Sequence, residues 1–239
     1  MINILILMGG KGTRFADAGY KELKPLIKVK GRTLTDLSCS CLKPTKYDYR
    51  FIFVYSPEQD KDFREEVMKV DNNGVVVFDN VLRGMAPGAL MATDYIDNDD
   101  SLIIASCDQT VDWNMDDYLD FAMKTDGCIL TTPSDLENRS YSKLVNDLVV
   151  EVAEKRVISN NSHIGVYFFK RGRDFVKSAI KMISKEIKTN DQFYLAPVYN
   201  EMLDKIVRIY PIDNNKVSFL GTPKDLEEYA NTETTTRIG

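Results

Sequence analysis

The chain has 239 residues, 44% hydrophobic and 28% charged, an ordinary globular composition with enough length for one large or two small folded units. Its net charge of −5, from 36 acidic and 31 basic residues with no block of like charge, argues against sequence-independent nucleic-acid binding, which needs many phosphate contacts. No run reaches the roughly 18 apolar residues of a membrane span, so neither nucleic acid nor membrane is expected as a partner.

The first ten residues are apolar, lack a basic leader and run straight into a glycine turn. They read as a buried strand over residues 2–7 rather than an export signal, which makes a cytoplasmic protein the expectation. Residues 33–42 suit a short helix. Tyr49-Arg50-Phe51-Ile52-Phe53-Val54-Tyr55 is aromatic and β-branched, hence a strand. Residues 59–69 read as a helix, 74–78 as a Val-rich strand, 86–95 as a helix and 101–106 as a buried strand. Repeated β-α-β units with near-continuous apolar strands predict an α/β fold, a doubly wound, mostly parallel mixed sheet flanked by helices.

In the back half, residues 127–132 and 163–169 are expected as strands. Residues 174–187 suit a helix with Phe175, Val176, Ala179, Ile180, Ile183 and Ile187 on one side. Strands over 205–212 and 216–220 come next, and Thr222-Pro223-Lys224-Asp225 opens a last helix, with threonine as cap and proline in the first turn. No linker composition divides the chain. A single unit over 1–230 is expected, its halves near 1–125 and 126–230, with a polar tail over 231–239.

Cys39, Cys41, Cys107 and Cys128 lack zinc-site spacing, and His163 is the only histidine. Buried reduced thiols and a structural histidine are the expectation. The chemistry is expected after strand one, in Met8-Gly9-Gly10-Lys11-Gly12-Thr13-Arg14-Phe15. Glycines let the backbone approach phosphate and aim N–H groups at it, and two cations flank the turn. The spacing fits neither a Walker A loop nor a dinucleotide fingerprint. Lys24-Pro25-Leu26 is the next piece, the proline biasing Lys24 towards extended backbone. Ser106-Cys107-Asp108-Gln109 puts a carboxylate at the C-terminal end of a strand, where such sheets bind ligands.

Gly-Gly-Lys-Gly-Thr-Arg, then Lys-Pro-Leu, then Gly31-Arg32-Thr33-Leu34, resembles the sugar nucleotidyltransferases, or NDP-sugar pyrophosphorylases, whose sheet is Rossmann-like and related to that of GT-A glycosyltransferases. Arg14-Phe15-Ala16-Asp17-Ala18-Gly19-Tyr20 is similar to a capsule-associated branch. The resemblance implies transfer of a nucleotidyl group from a nucleoside triphosphate to a phosphorylated small molecule, a sugar 1-phosphate first among candidates. It implies that Met8, Gly9, Gly10, Lys11, Gly12 and Thr13 cradle the nucleotide phosphates and that Gly84 borders the base. Arg14 would hold the departing phosphates, Lys24 would neutralise the reacting α-phosphate, and Asp108 would bind Mg²⁺. Glu154, Lys155 and Gly165 would form the acceptor pocket, and Asp191-Gln192-Phe193-Tyr194 is similar to a segment near it.

One position departs from the family. Many relatives carry a second metal-binding aspartate two residues before the glycine of a C-terminal Gly-Thr segment, where this chain has Phe219. Asp112 and Asp213 are possible substitutes. Three rival readings stand beside the first. A cytidylyltransferase-type enzyme would act on a non-sugar phospho-compound. A glycosyltransferase would show an Asp-x-Asp motif in place of Cys107-Asp108-Gln109. A non-catalytic nucleotide-binding module would have no use for Arg14, Lys24, Asp108 and Lys155 together.

Overall fold

The computed structural model describes residues 1–10, 12–80 and 83–232. In chain order the first half comprises β1 (Ile2–Leu7), α1 (Thr13–Asp17), β2 (Lys28–Val29), β3 (Arg32–Thr33), α2 (Leu34–Ser40), β4 (Tyr49–Tyr55), α3 (Asp60–Val70), β5 (Val75–Phe78), α4 (Met85–Leu90), α5 (Thr93–Ile96), β6 (Ser101–Ser106), β7 (Gln109–Val111) and α6 (Met115–Ala122). The second half adds β8 (Gly127–Pro133), β9 (Ser140–Val145), β10 (Leu148–Glu154), β11 (Asn161–Phe169), α7 (Gly172–Ser184), β12 (Val207–Pro211), β13 (Val217–Phe219) and α8 (Pro223–Asn231).

Side chains alternate across a strand, and both faces of this sheet are covered. Ile2, Ile4 and Ile6 of β1 pack into one core with Phe51, Phe53, Ile103 and Ala105, while Leu5 enters the other with Ile52, Val54, Leu102 and Ile104. The main sheet runs β10-β9-β11-β6-β1-β4-β5, with β8 against β11 and β12 against β8. β1 lies parallel to both β4 and β6, and β4 to β5. Antiparallel β11 joins β6, so one mixed sheet continues from the front half into the back half. The mixed α/β architecture expected from the sequence is present. No helix among the described residues is long and apolar enough to cross a membrane.

A third, smaller core lies apart from these two. Phe15, Ile27, Val29, Leu34, Leu37, Leu220 and Leu226 form a cluster that joins α1, the β2–β3 hairpin, α2 and the C-terminal α8. Phe15 is buried and meets Tyr20 edge-to-face at 5.2 Å. Burying one such side chain stabilises by about 2–3 kcal/mol, so the turn ahead of α1 is anchored through Phe15.

Several elements differ from expectation. Residues 86–95 form two short helices rather than one; around Met91 and Ala92 the backbone bonds tighten to three-residue spacing, and Thr93 bonds back to the Leu90 carbonyl. The buried face of α7 is Phe175, Val176, Ala179 and Met182. Ile180 and Ile187 are exposed instead, Ile187 beyond the helix end, because the face centres on the 175/179/182 row. The hairpin β9–β10 was not expected. Its two-residue turn, Asn146-Asp147, has φ of 51° and 62°, the positive angles that short hairpin turns demand.

His163 sits buried in β11 with its Nε2 at 2.7 Å from Ser142 Oγ and its Nδ1 without a hydrogen-bond partner. Burial pushes its pKa down to about 3. The unfolded chain takes up this proton near pH 6.5 and the folded one does not, so the contribution is complete above that pH and is lost as pH falls. Between pH 7 and pH 5 the loss is about 2 kcal/mol. Urea midpoints at the two pH values should show this difference in the wild type, and His163→Gln should largely abolish it.

Candidate active site

The turn after β1 and the turn after β6 open at the same edge of the sheet, because β1 and β6 pair in parallel from Ile2↔Ser101 to Leu7↔Ser106. Between them lies a cleft of about 470 Å³. Met8, Gly9, Gly10, Thr13, Lys24, Gly84 and Asp108 all line it. Lys11 lies outside the described residues. Gly12 begins α1 in the left-handed conformation, φ 61°, and a Cβ there would stand 3.0 Å from Lys24 Cβ. The glycine is what lets the loop close on Lys24. Thr35 of α2 donates to the Pro25 carbonyl at 2.9 Å and fixes the Lys24-Pro25-Leu26 turn from behind.

Lys24 Nζ donates to Asp108 Oδ2 at 2.7 Å across 84 residues of sequence. The side chains are 18% and 31% exposed. Burial works against the charge on Lys24, but Asp108 outweighs it and the pKa rises. Burial likewise opposes the Asp108 carboxylate, and Lys24 with the Ser106 hydroxyl outweighs that and holds it below the usual range. Ser106 Oγ donates to Asp108 Oδ1 at 2.5 Å. Both groups therefore stay charged across neutral pH. Arg14 is exposed on α1, does not line the cleft and makes no hydrogen bond or ion pair through its side chain among the described residues; its charge is nevertheless felt at Lys24. Burial pushes the Cys107 thiol up to about 12, so it is an inert neighbour rather than a nucleophile. All four cysteines are free.

The residues expected to hold the acceptor lie beyond the Asp108 turn. Gly165 has φ 96° within a register shift of β11 between His163 and Tyr167. A Cβ there would stand 3.6 Å from Ser106 Oγ and 3.6 Å from Gln109 Oε1, so Gly165 abuts the Asp108 turn directly. Glu154 ends β10 and accepts from Ser140 Oγ. Burial raises its pKa against the pull of Ser140 and Lys155. Lys155 turns away in the left-handed conformation, φ 54°, and donates to Tyr194 OH at 2.5 Å. Glu154 and Lys155 do not line the cleft itself.

For a cation, the donor set is small. Among the described residues no three His, Cys, Asp or Glu side chains gather to hold a metal. Asp108 alone would fit Mg²⁺, an ion usually bound through one or two carboxylates with waters and substrate phosphates completing its shell. Phe219 stands opposite Gln109 in the β7–β13 pairing, and Leu220 donates its N–H to the Asp108 carbonyl at 2.7 Å. Asp112 and Asp213 are exposed and absent from the cleft wall. The Asp108 and Asp225 carboxylates both face Gly221; a Cβ there would lie 3.4 Å from Asp108 Oδ2 and 3.8 Å from Asp225 Oδ2.

Two cleft features escaped the sequence reading. Asp79 comes directly after β5, is buried, and sets Oδ2 2.9 Å from where a Gly88 Cβ would be. The signal was available, since Asp79 ends a parallel strand as Asp108 does. The second is the packing of residues 83–86 on the backbone of Phe193. Gly84 has φ 118° and ψ 174°, a region open essentially to glycine, and a Cβ there would meet Phe193 backbone at 2.6 Å. Ala86 N–H bonds to the Phe193 carbonyl at 3.1 Å. Gln192 of the same segment lines the cleft and Tyr194 holds Lys155, so this stretch ties the cleft rim to the Glu154–Lys155 wall. Gly84→Ala should cost about 2 kcal/mol or more through strain alone, read as a lowered melting temperature; an unchanged melt would contradict this packing.

The sequence model of the family "Nucleotidyl transferase" matches residues 3–236. The nucleoside-diphosphate-sugar pyrophosphorylase of Vibrio cholerae RC9 superposes with a TM-score of 0.80 at 22% identity, over 97% of this chain and 100% of that one. A Bacillus anthracis protein described as a glucose-1-phosphate thymidylyltransferase gives 0.75 at 16% identity, over 96% and 94%. The inositol-1-phosphate CTP transferase of T. maritima gives 0.69 at 18% identity, over 93% and 90%. No curated protein matches the chain significantly. At these identities the solved structures speak for the fold, and the family match, which runs through nearly the whole sequence, speaks for the chemistry: this chain belongs to the nucleotidyl transferase family and is an enzyme of that type.

Proposed function

We propose that the enzyme transfers a nucleotidyl group from a nucleoside triphosphate to a sugar 1-phosphate, giving a nucleotide-sugar and pyrophosphate. The observation that carries the reading is the Lys24–Asp108 contact at the floor of a cleft walled by a glycine loop. A phosphate oxygen of the acceptor attacks the α-phosphorus, the bond to the β,γ-diphosphate breaks, and pyrophosphate leaves opposite the attack. Backbone N–H groups of the Gly9–Thr13 turn bind the triphosphate, and Lys24 neutralises charge at the α-phosphate in the transition state. Arg14, exposed beside the turn, takes the departing phosphates. Asp108 would hold Mg²⁺, which when bound polarises the phosphate oxygens. Glu154 accepts from acceptor hydroxyls, and Lys155 meets the acceptor phosphate. The capsule-associated resemblance of residues 14–20 supports a product used in surface-polysaccharide synthesis and made in the cytoplasm.

The likeness to an inositol-1-phosphate CTP transferase supports one second reading, a non-sugar phosphorylated acceptor with the same chemistry. The deciding experiment is pyrophosphate release with four nucleoside triphosphates against sugar 1-phosphates, inositol 1-phosphate and phosphocholine, with Mg²⁺. Release only with sugar phosphates selects the first reading, and release with no pair refutes both.

Lys24→Ala and Arg14→Ala should each lose about 10²–10³ in turnover, since each removes a cation from the transition state; Arg14→Ala should melt as the wild type does, whereas Lys24→Ala should melt lower because Asp108 loses its partner. Asp108→Asn should lose Mg²⁺-dependent activity; near-normal release from that variant, or wild-type activity in chelator, would remove its metal role. For Lys155→Ala, acceptor binding should weaken by about 1.5–3 kcal/mol with nucleotide affinity unmoved. A calorimetric titration in which nucleotide binding collapses instead would place Lys155 on the other wall.

A further inference from the structure

We propose that Arg139, laid on the ring of Phe219, is an anion-binding residue of this site that takes the phosphate of the acceptor. The inference rests on the transferase reading for the identity of that phosphate, but its geometry stands on its own. The guanidinium carbon lies 4.0 Å from the centre of the Phe219 ring, within cation–π range. Arg139 is half-buried, yet its five N–H donors make no hydrogen bond or ion pair with any described residue. Its nitrogens remain open to solvent, and hence to a ligand, and a stacked, planar guanidinium is already oriented for an oxyanion.

Its position joins the two walls. The main chain belongs to the acceptor side, where Lys155 N–H bonds to the Arg139 carbonyl at 2.9 Å and neighbouring Ser140 bonds to Glu154. The head group lies on the Asp108 side, because Phe219 pairs with Gln109 and the next residue, Leu220, bonds to the Asp108 carbonyl. Arg139 does not line the cleft itself, but its main chain on the Glu154 side and its head group on the Asp108 side put it between the two ends of an acceptor whose hydroxyls reach Glu154 and whose phosphate approaches Asp108. Lys155, which meets the same phosphate in the proposed reaction, shares its donors with Tyr194, and Lys24 shares its own with Asp108, whereas no described residue accepts from Arg139. Asp225 faces the guanidinium electrostatically without forming an ion pair, so a ligand anion does not have to displace a protein carboxylate.

The test uses methyl phosphate, the smallest phosphomonoester, titrated into the full chain while the Nε–H resonance of Arg139 is followed by NMR, assigned by its loss in Arg139→Lys. That resonance should shift saturably, and Phe219→Leu, which keeps apolar packing but removes the platform, should weaken the response. Arg139→Ala should raise the acceptor KM by about tenfold or more, the loss of a charge-assisted contact, with nucleotide affinity unchanged and Arg139→Lys recovering part of the loss. An Arg139 resonance indifferent to methyl phosphate, or an Arg139→Ala enzyme with the wild-type acceptor KM, overturns the assignment. The transferase reading fails separately: pyrophosphate release absent for every pair, with the Arg139 response intact, would leave an anion site without that reaction.

Discussion

The contact between Lys24 and Asp108 is the constraint around which the cleft is arranged. Two opposite charges held partly out of water are tolerable only while each has the other, because desolvation of either alone costs several kcal/mol. That requirement links a turn near the N-terminus to the end of β6, 84 residues later. It also explains why the pocket can receive both a phosphate and a cation under the proposed function. A phosphate can take over from Asp108 as partner of Lys24, and an ion can take over from Lys24 as partner of Asp108, so neither charge is stranded during exchange.

Holding Lys24 in place is the work of groups remote in sequence. The Thr35 bond from α2 and the close approach of Gly12 hold it in a single 3-10 turn over Lys24–Leu26, where the following proline predicts extended backbone instead; the extended residue is Leu23. Beneath them, Leu220 and Leu226 from the C-terminal segment pack with Phe15 and Ile27. The Thr222 hydroxyl caps α8 by accepting from Asp225 N–H at 3.2 Å, which sets the helix that carries Leu226. The glycine loop is therefore clamped between the chain's beginning and its end.

How much of this the residues announce depends on the range of the interactions. β1, β4 and β6 match their predicted bounds because a strand covered on both faces must be apolar throughout, which is a local signal. The gathering of Gly9, Lys24 and Asp108 is legible once β1 and β6 are parallel neighbours, since such strands end at one edge. The hairpin β9–β10 lacks a clean inside–outside alternation, because apolar Val145, Leu148 and Val150 face solvent, although its Asn146-Asp147 turn carries a usable mark. Ile180 was misassigned because a tally of apolar residues cannot say where a helix face is centred. The stacking of Arg139 on Phe219, 80 residues apart, leaves no trace in either neighbourhood.

The irregular strand β11 shows how the two halves become one site. A regular antiparallel strand would carry its register unbroken past β8 and place a side chain at position 165. The shift between His163 and Tyr167, with glycine at positive φ, instead brings bare backbone against Ser106 and Gln109. The pairing of His163 with Ser142 pins the strand just before the shift, and the stacked pair of Phe169 and Tyr199 pins it after, at a ring separation of 4.6 Å. Distortion held from both sides is a conformation the surrounding packing determines. The consequence is geometric: at Gly165 the backbone of β11 lies against Ser106 and Gln109, the two residues that flank Cys107 and Asp108, with no side chain of its own in the way.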